Sequence, residues 1–245
     1  MDDVTEFNKY VLSNINKVIG GKVVLLDFLD ENEGFIVESL CDKNGIPYYK
    51  NGGIVDSVRN RYLLSMYDIE DSDFKIVVYK IEYNKKYYDI EHKHVLGTLM
   101  SLGIQRKTIG DIVIDDNKDI YFSTTEEIAK YLKNELHYIN HASIELKKVD
   151  YEVRNVVNYL EKEIMVSSYR LDAIISGVYN LSRSKSQELI SEGLVYVNHV
   201  NNMNISHNVN VGDEINVRHY GKFKISEYVN TTRSGRYKML VLIWR

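Results

Sequence analysis

Cysteine, proline and tryptophan each occur once in the 245 residues, and each scarcity closes off a class of explanation. With Cys41 alone, neither an internal disulfide framework nor a cysteine zinc site can form, which suits a reducing cytoplasm. With Pro47 as the single proline and no Ser/Gly tract, no long flexible linker is legible. No apolar run approaches the roughly 20 residues of a membrane span, and residues 1 to 19 read as an acidic amphipathic segment with no signal-peptide pattern. No membrane partner is expected. The chain has no GxGxxG, so no nucleotide or methyl-donor cofactor and no small-molecule substrate is expected. His137 and His141 have helical i, i+4 spacing but lack an acidic HExxH partner, so no metal site is expected.

What the chain has is an uneven distribution of charge. Overall it is acidic, with 31 Lys and Arg against 35 Asp and Glu. From residue 168 onward, however, ten cations face six acids, which leaves a net of −8 for the first 167 residues and +4 for the rest. A basic final third on an acidic chain points to a localised polyanion site.

That basic third also carries the densest motifs. Leu171, Ile174, Ile175 and Val178 fall at i, i+3, i+4 and i+7, predicting a helix that starts near Arg170 and is capped by Ser167 or Ser168. A turn at Tyr179-Asn180-Leu181 leads to a second helix with Ser182 as N-cap, Leu189 and Ile190 inward, and Gly193 ending it with positive φ. Strands follow over Leu194 to Asn198 and Asp213 to Val217. Arg183 and Lys185 occupy the first turn of the second helix, where cations oppose the macrodipole. A phosphate partner would reverse that conflict, while a solvated pair beside a cap is the plainer reading.

In order, Arg170-Leu171-Asp172, Leu181-Ser182-Arg183-Ser184-Lys185, Gly193-Leu194-Val195-Tyr196-Val197-Asn198 and Gly212-Asp213-Glu214-Ile215 resemble the RNA-binding domain named after ribosomal small-subunit protein S-four. Gly221-Lys222-Phe223-Lys224 and Thr231-Thr232-Arg233-Ser234-Gly235-Arg236 resemble the tail of the YlmH family. His94-Val95-Leu96-Gly97-Thr98-Leu99-Met100-Ser101-Leu102-Gly103-Ile104-Gln105-Arg106 with Ile109-Gly110-Asp111-Ile112 is similar to that family's central signature. Phe28 to Glu33 and Gly52 to Arg61 match it with departures, Glu31 standing for a proline and Val58 for a glutamate.

The resemblance implies a bacterial, cytoplasmic, non-enzymatic protein of ribosome-associated quality control, also linked to cell division. Its partners would be structured RNA, ribosomal or transfer, on the large ribosomal subunit. The expected RNA-binding set is Arg170, Ser182, Arg183, Lys185, Gln187, Asn198, Arg218, Lys222, Arg233 and Arg236, with Arg106 and Lys107 as a loop contribution from the middle of the chain. Two alternatives stay open, an RNA-modifying enzyme and a division scaffold. Arg-Leu-Asp also occurs in pseudouridine synthases, but only 73 residues follow Asp172, too few for a catalytic sheet. Asp172 is instead expected to complement the helix dipole or pair with an arginine.

The expected class is α+β: a small N-terminal α/β subdomain over 1–72, a ferredoxin-like βαββαβ middle domain over 73–150, a connector over 151–167, and an S-four-type αα-β domain over 168–245. In the middle, Phe74 to Tyr83 reads as a strand, His92 to Leu102 as a helix, Asp111 to Ile114 and Asp119 to Phe122 as a hairpin, and Ala142 to Val149 as a last strand. Gly110 is read as the turn before its strand, and Thr124 with Glu127 as a capping box. Tyr79, Tyr83, Tyr121 and Phe122 could stack bases or, more commonly for strand aromatics, pack. Arg59 and Arg61 are expected on an exposed helix face.

Overall fold

A computed structural model describes residues 2–155, 159–232 and 235–244. The chain forms two compact units, Met1–Val156 and Val157–Arg245. The boundary expected at residue 72 therefore falls inside the first unit.

That unit opens with helix α1 (Asp2–Ile19), strand β1 (Val24–Leu29), helix α2 (Glu31–Asn44) and strands β2 (Tyr48–Asn51) and β3 (Asn60–Leu64), in the sheet order β1-β3-β2. The helical spacing of Val11, Ile15 and Val18 buries them against Leu26, Val37 and Leu64. Asp30 starts α2 through a reciprocal capping box: its carboxylate accepts the Glu33 N–H, and the Glu33 carboxylate accepts its own.

A second sheet follows, built from β4 (Ile76–Tyr83), β5 (Ile109–Ile114), β6 (Ile120–Thr125), β7 (Tyr138–Ile139) and β8 (Ala142–Lys148), with helices α3 (His92–Ser101) and α4 (Glu126–Glu135). Its order is β5-β6-β4-β8-β7, with each described pair antiparallel. Alternation along β4 sends Val77, Tyr79 and Ile81 to the helix side, where they pack with Val95, Leu99 and Leu132. The cap of α4 is Thr125, one residue beyond the predicted one, because Thr124 donates its hydroxyl to the Thr108 carbonyl.

The aromatic strand residues pack. Tyr79 and Phe122 lie in the helix-side core, and Tyr83 donates its hydroxyl to the Lys118 carbonyl. Tyr121 faces the other way and is covered by Ile54 and Val153. The covering chain is held by main-chain bonds, Val55 N–H to the Val153 carbonyl at 2.8 Å and Asn155 N–H to the Val55 carbonyl at 2.9 Å. Residues 149–155, expected within or beside a connector, thus cover part of the sheet face opposite its helices, over Val113 and Tyr121.

The second unit contains β9 (Tyr159–Val166), α5 (Leu171–Tyr179), α6 (Arg183–Ser191), β10 (Val195–Val197), β11 (Val200–Asn201), β12 (Glu214–Val217), β13 (Gly221–Thr231) and β14 (Tyr237–Trp244). Residues 159–166 of the expected connector form β9, an edge strand of a six-stranded sheet ordered β11-β10-β12-β13-β14-β9. Ile164 and Val166 on β9 join Leu171, Ile174, Ile175, Val178, Leu189 and Ile190 of the helices in one core.

Gly110 lies within β5, where the sequence reading places a turn. A Cβ there would strike the Ser123 hydroxyl and come within 2.6 Å of the Phe28 ring. Overpacking of this kind costs about 1–3 kcal/mol, so Gly110→Ala is expected to lower the urea midpoint by that equivalent with an unchanged m value.

Candidate nucleic-acid interface

Asp172 is the centre of the C-terminal helix pair. It is the second residue of α5, its side chain is 0% exposed, and both its oxygens are engaged. Arg170 donates from Nε and Nη2 at 3.1 and 3.2 Å, Arg183 from Nη2 and Nε at 2.8 and 3.3 Å, and Gln187 from Nε2 at 2.8 Å. Burial by itself would raise the carboxyl pKa, but the bonds from Gln187, Arg170 and Arg183 outweigh it and hold the group below its ordinary value. Two guanidiniums share one carboxylate, so the cluster keeps a net positive charge. Both arginines remain partly exposed, at 37% and 41% of their side chains.

Local sequence explains the placement. Arg170 is the N-cap of α5 but caps with no side chain; the Leu171 N–H is taken by the His207 carbonyl. The predicted capping by Ser167 or Ser168 does not occur, since Ser167 accepts from Arg183 and the Ser168 hydroxyl is buried with no partner among the described residues. Ser182 caps α6, accepting the Lys185 N–H at 3.1 Å, and Gly193 follows the helix at φ 71°. Lys185 points outward from that first turn and pairs with Glu188 at 2.6 Å, an exposed pair that water and salt weaken.

The other predicted contacts divide. Arg218 is exposed, with its guanidinium 5.4 Å from the Tyr196 ring centre, and Arg236 is exposed on the β13–β14 connection. Arg233 lies outside the described residues. Lys222 is a different case: its side chain is 14% exposed, pairs with Glu214 at 2.8 Å and sits 4.7 Å from the Trp244 ring centre. Asn198 spends its amide within the fold, donating to Asp213 and accepting the Glu214 N–H, at φ 48°. Gln187 is drawn inward by Asp172. These three residues act in the fold before they can act on a ligand, and their polarity alone hid that. Lys162 went unanticipated; it donates to the Gly177 and Val178 carbonyls at the end of α5, where a cation complements the dipole.

In the N-terminal unit, Arg59 and Arg61 are not on a helix. Arg61, 7% exposed on β3, donates to the carbonyls of Leu26, Phe74 and Lys75. Arg59 donates to those of Phe28 and Ile109, and Arg106 to those of Ile109 and Gly110. Burial, aided by Arg59, lowers the Arg106 pKa to about 10. Beside them Asp111, 8% exposed, accepts the Val58 and Arg59 N–H groups at 2.6 and 3.1 Å. Its pKa is raised by burial, only partly offset by those hydrogen bonds. Lys107 is exposed and pairs with Asp27 at 3.2 Å.

Residues 70–153 match the family model described as "Putative RNA-binding domain in YlmH". Over 222 residues the chain is 28% identical to the ribosome-associated protein quality control protein P2 of Bacillus subtilis, covering 89% of this chain and 86% of that one. The cell division protein ylmH from Streptococcus pneumoniae superposes with a TM-score of 0.52 at 26% identity, covering 59% of this chain and 90% of that one. The chain is YlmH-like. Its departures from the YlmH pattern are structurally mild. Glu31 is the first residue of α2, a position where proline is tolerated because the N–H has no intrahelical partner, so either residue fits. Val58 contributes its backbone N–H to Asp111, which any side chain but proline's would leave in place.

Because the folded Asp172 carboxyl titrates below its unfolded value of about 3.9, its ionised form stabilises the fold at all higher pH. That contribution fades as pH falls through the folded value. Asp172→Asn is expected to cost about 3–5 kcal/mol at pH 7, with the gap to wild type narrowing in urea titrations below about pH 4.

Proposed function

We propose that this chain is a non-enzymatic RNA-binding protein that recognises structured RNA, ribosomal or transfer, on the large ribosomal subunit during ribosome-associated quality control in the cytoplasm. The observation that carries this reading is the cation cluster at the start of α6. Arg170 and Arg183 are oriented by Asp172, Lys185 projects from the first turn that Ser182 caps, and the macrodipole adds to their field. Guanidiniums held by a buried carboxylate lose less side-chain entropy on meeting phosphate than free ones would.

The relatives support the same reading. The Bacillus subtilis protein carries ribosome-associated quality control in its name, and residues 70–153 match an RNA-binding domain model. We read the C-terminal pair of helices on a sheet as an S-four-type module. The β5-β6-β4-β8 order, with α3 and α4 on one face, we read as a ferredoxin-like plait, a scaffold that hosts many functions and so leaves the decision to the site. Such a module reads backbone contour and unpaired bases, because side chains cannot enter the deep groove of A-form RNA. Asp172, which a pseudouridine-synthase reading would make the nucleophile, has no exposed surface and both oxygens occupied, an argument against that chemistry. Among the described residues no helix is long and apolar enough to cross a membrane.

The test is ribosome sedimentation and salt-dependent RNA binding with Arg183→Gln/Lys185→Gln, in which the amide at 183 retains an N–H for Asp172. The variant is expected to lose co-sedimentation and to flatten the log–log salt dependence by about one to two, near 0.9 per phosphate contact. An unchanged slope in a folded variant would remove these residues from the interface.

A further inference from the structure

The N-terminal unit contains a pocket of about 470 Å³ lined by Phe7, Tyr10, Phe28, Arg59, Arg106 and Lys107 among others. We propose that it takes one unpaired base of an RNA strand, stacked on the Phe7/Tyr10 side and hydrogen-bonded along its edge by the arginines. The inference rests on the RNA-binding reading above and assigns the N-terminal unit a ligand of its own.

Three observations lead there. First, the strand aromatics that would ordinarily meet RNA are not available in this unit, since Tyr121, on the face opposite the helices, is 8% exposed beneath Ile54 and Val153, and Tyr79 and Phe122 are in the helix-side core. If residues 70–153 bind RNA, they do so without stacking bases on these strand aromatics. Second, the pocket brings aromatic surface and free donors together. Phe7 and Tyr10 have ring centroids 5.9 Å apart, inclined by 33°, and Tyr10 is 47% exposed. Arg59 and Arg106 are fixed by carbonyls, yet the bonds they make leave Arg59 Nη1 and Arg106 Nε and Nη2 without a partner among the described residues. Their planes are also stacking surfaces.

Third, the charge balance selects a base over a free phosphate. Asp27, Asp30 and Glu33 also line the pocket. Asp27 is paired with Lys107, and Asp30 and Glu33 engage one another's N–H groups in the capping box, but all three offset the three cations. An isolated dianion gains little from such a lining. A flat heterocycle with donors and acceptors on its edge matches it, and the volume falls within the range of about 300–1,000 Å³ typical of small-ligand sites.

The experiment uses the full chain with a single-stranded nonauridylate carrying 2-aminopurine at its centre, whose fluorescence falls on stacking, alongside a fully paired RNA hairpin of the same charge. Tyr10→Ala and Lys107→Gln alter exposed side chains, and circular dichroism checks that both fold. Saturable quenching by wild type is expected, weakened at least about fivefold by Tyr10→Ala, as the loss of one stacked base predicts. Lys107→Gln should weaken it less, and Arg183→Gln/Lys185→Gln should leave it in place. Quenching that survives Tyr10→Ala but vanishes with Arg183→Gln/Lys185→Gln would overturn the pocket and leave the proposed function standing. So would hairpin binding with no quenching at all. If wild type binds neither probe, both readings fall.

Discussion

A carboxylate with no exposed surface cannot remain ionised unless its surroundings supply the hydrogen bonds that water would have given. Asp172 meets that demand with two arginines and a glutamine drawn from the N-cap of α5 and the first two turns of α6. The consequences spread outward from this point. The two helices are tied together by side chains as well as by their apolar faces, and the arginines are held where the α6 dipole also points. The conflict of two cations at a helix N-terminus is answered in part from within the molecule before any ligand arrives.

Elsewhere the chain uses arginine differently. Arg59, Arg61 and Arg106 donate mainly to backbone carbonyls, joining β1, β3, β5 and the turns between them. Planar guanidiniums with several donors suit this task, since unpaired buried carbonyls would be costly. Asp111 completes the arrangement by accepting two backbone N–H groups. It differs from Asp172 in sign: burial dominates at Asp111 and raises its pKa, whereas hydrogen bonds dominate at Asp172 and lower it. In both places a charged side chain serves first as structure, and the donors left over define what remains for a partner.

Much of the architecture was legible because periodicity reports burial. The helices α1, α3, α5 and α6, the β5–β6 hairpin and the positive-φ glycine after α6 were readable from spacing alone, and the recurring motifs pointed to the YlmH-like relatives. The site was legible only in outline. The places of Ser182, Arg183 and Lys185 at the start of α6 were legible, but Lys222, Gln187 and Asn198 look alike in sequence whether they face solvent or fold inward. Arg59 and Arg61 were taken for an exposed helix because the residues around them do not disclose a central strand, paired with β2 nearby and with β1 roughly thirty-five residues upstream. Gly110 was misread for a related reason: a glycine demanded by Phe28 and Ser123 and one demanded by a turn are the same letter.

What the sequence determined by itself was local: helix and strand periods, caps, the scarcity of cysteine and proline, and the concentration of positive charge after residue 168. These depend on neighbours within a few positions, or on composition, and need no knowledge of the fold. Tertiary structure decided which polar groups are spent. Whether Asp172 is a solvated acid or the buried partner of two arginines, whether Tyr121 offers its ring or hides it, and whether residues 149–155 connect or cover were settled by chain segments distant in sequence. Hydrogen bonding and burial are contests among all groups that reach one place, and only the folded chain says which groups those are.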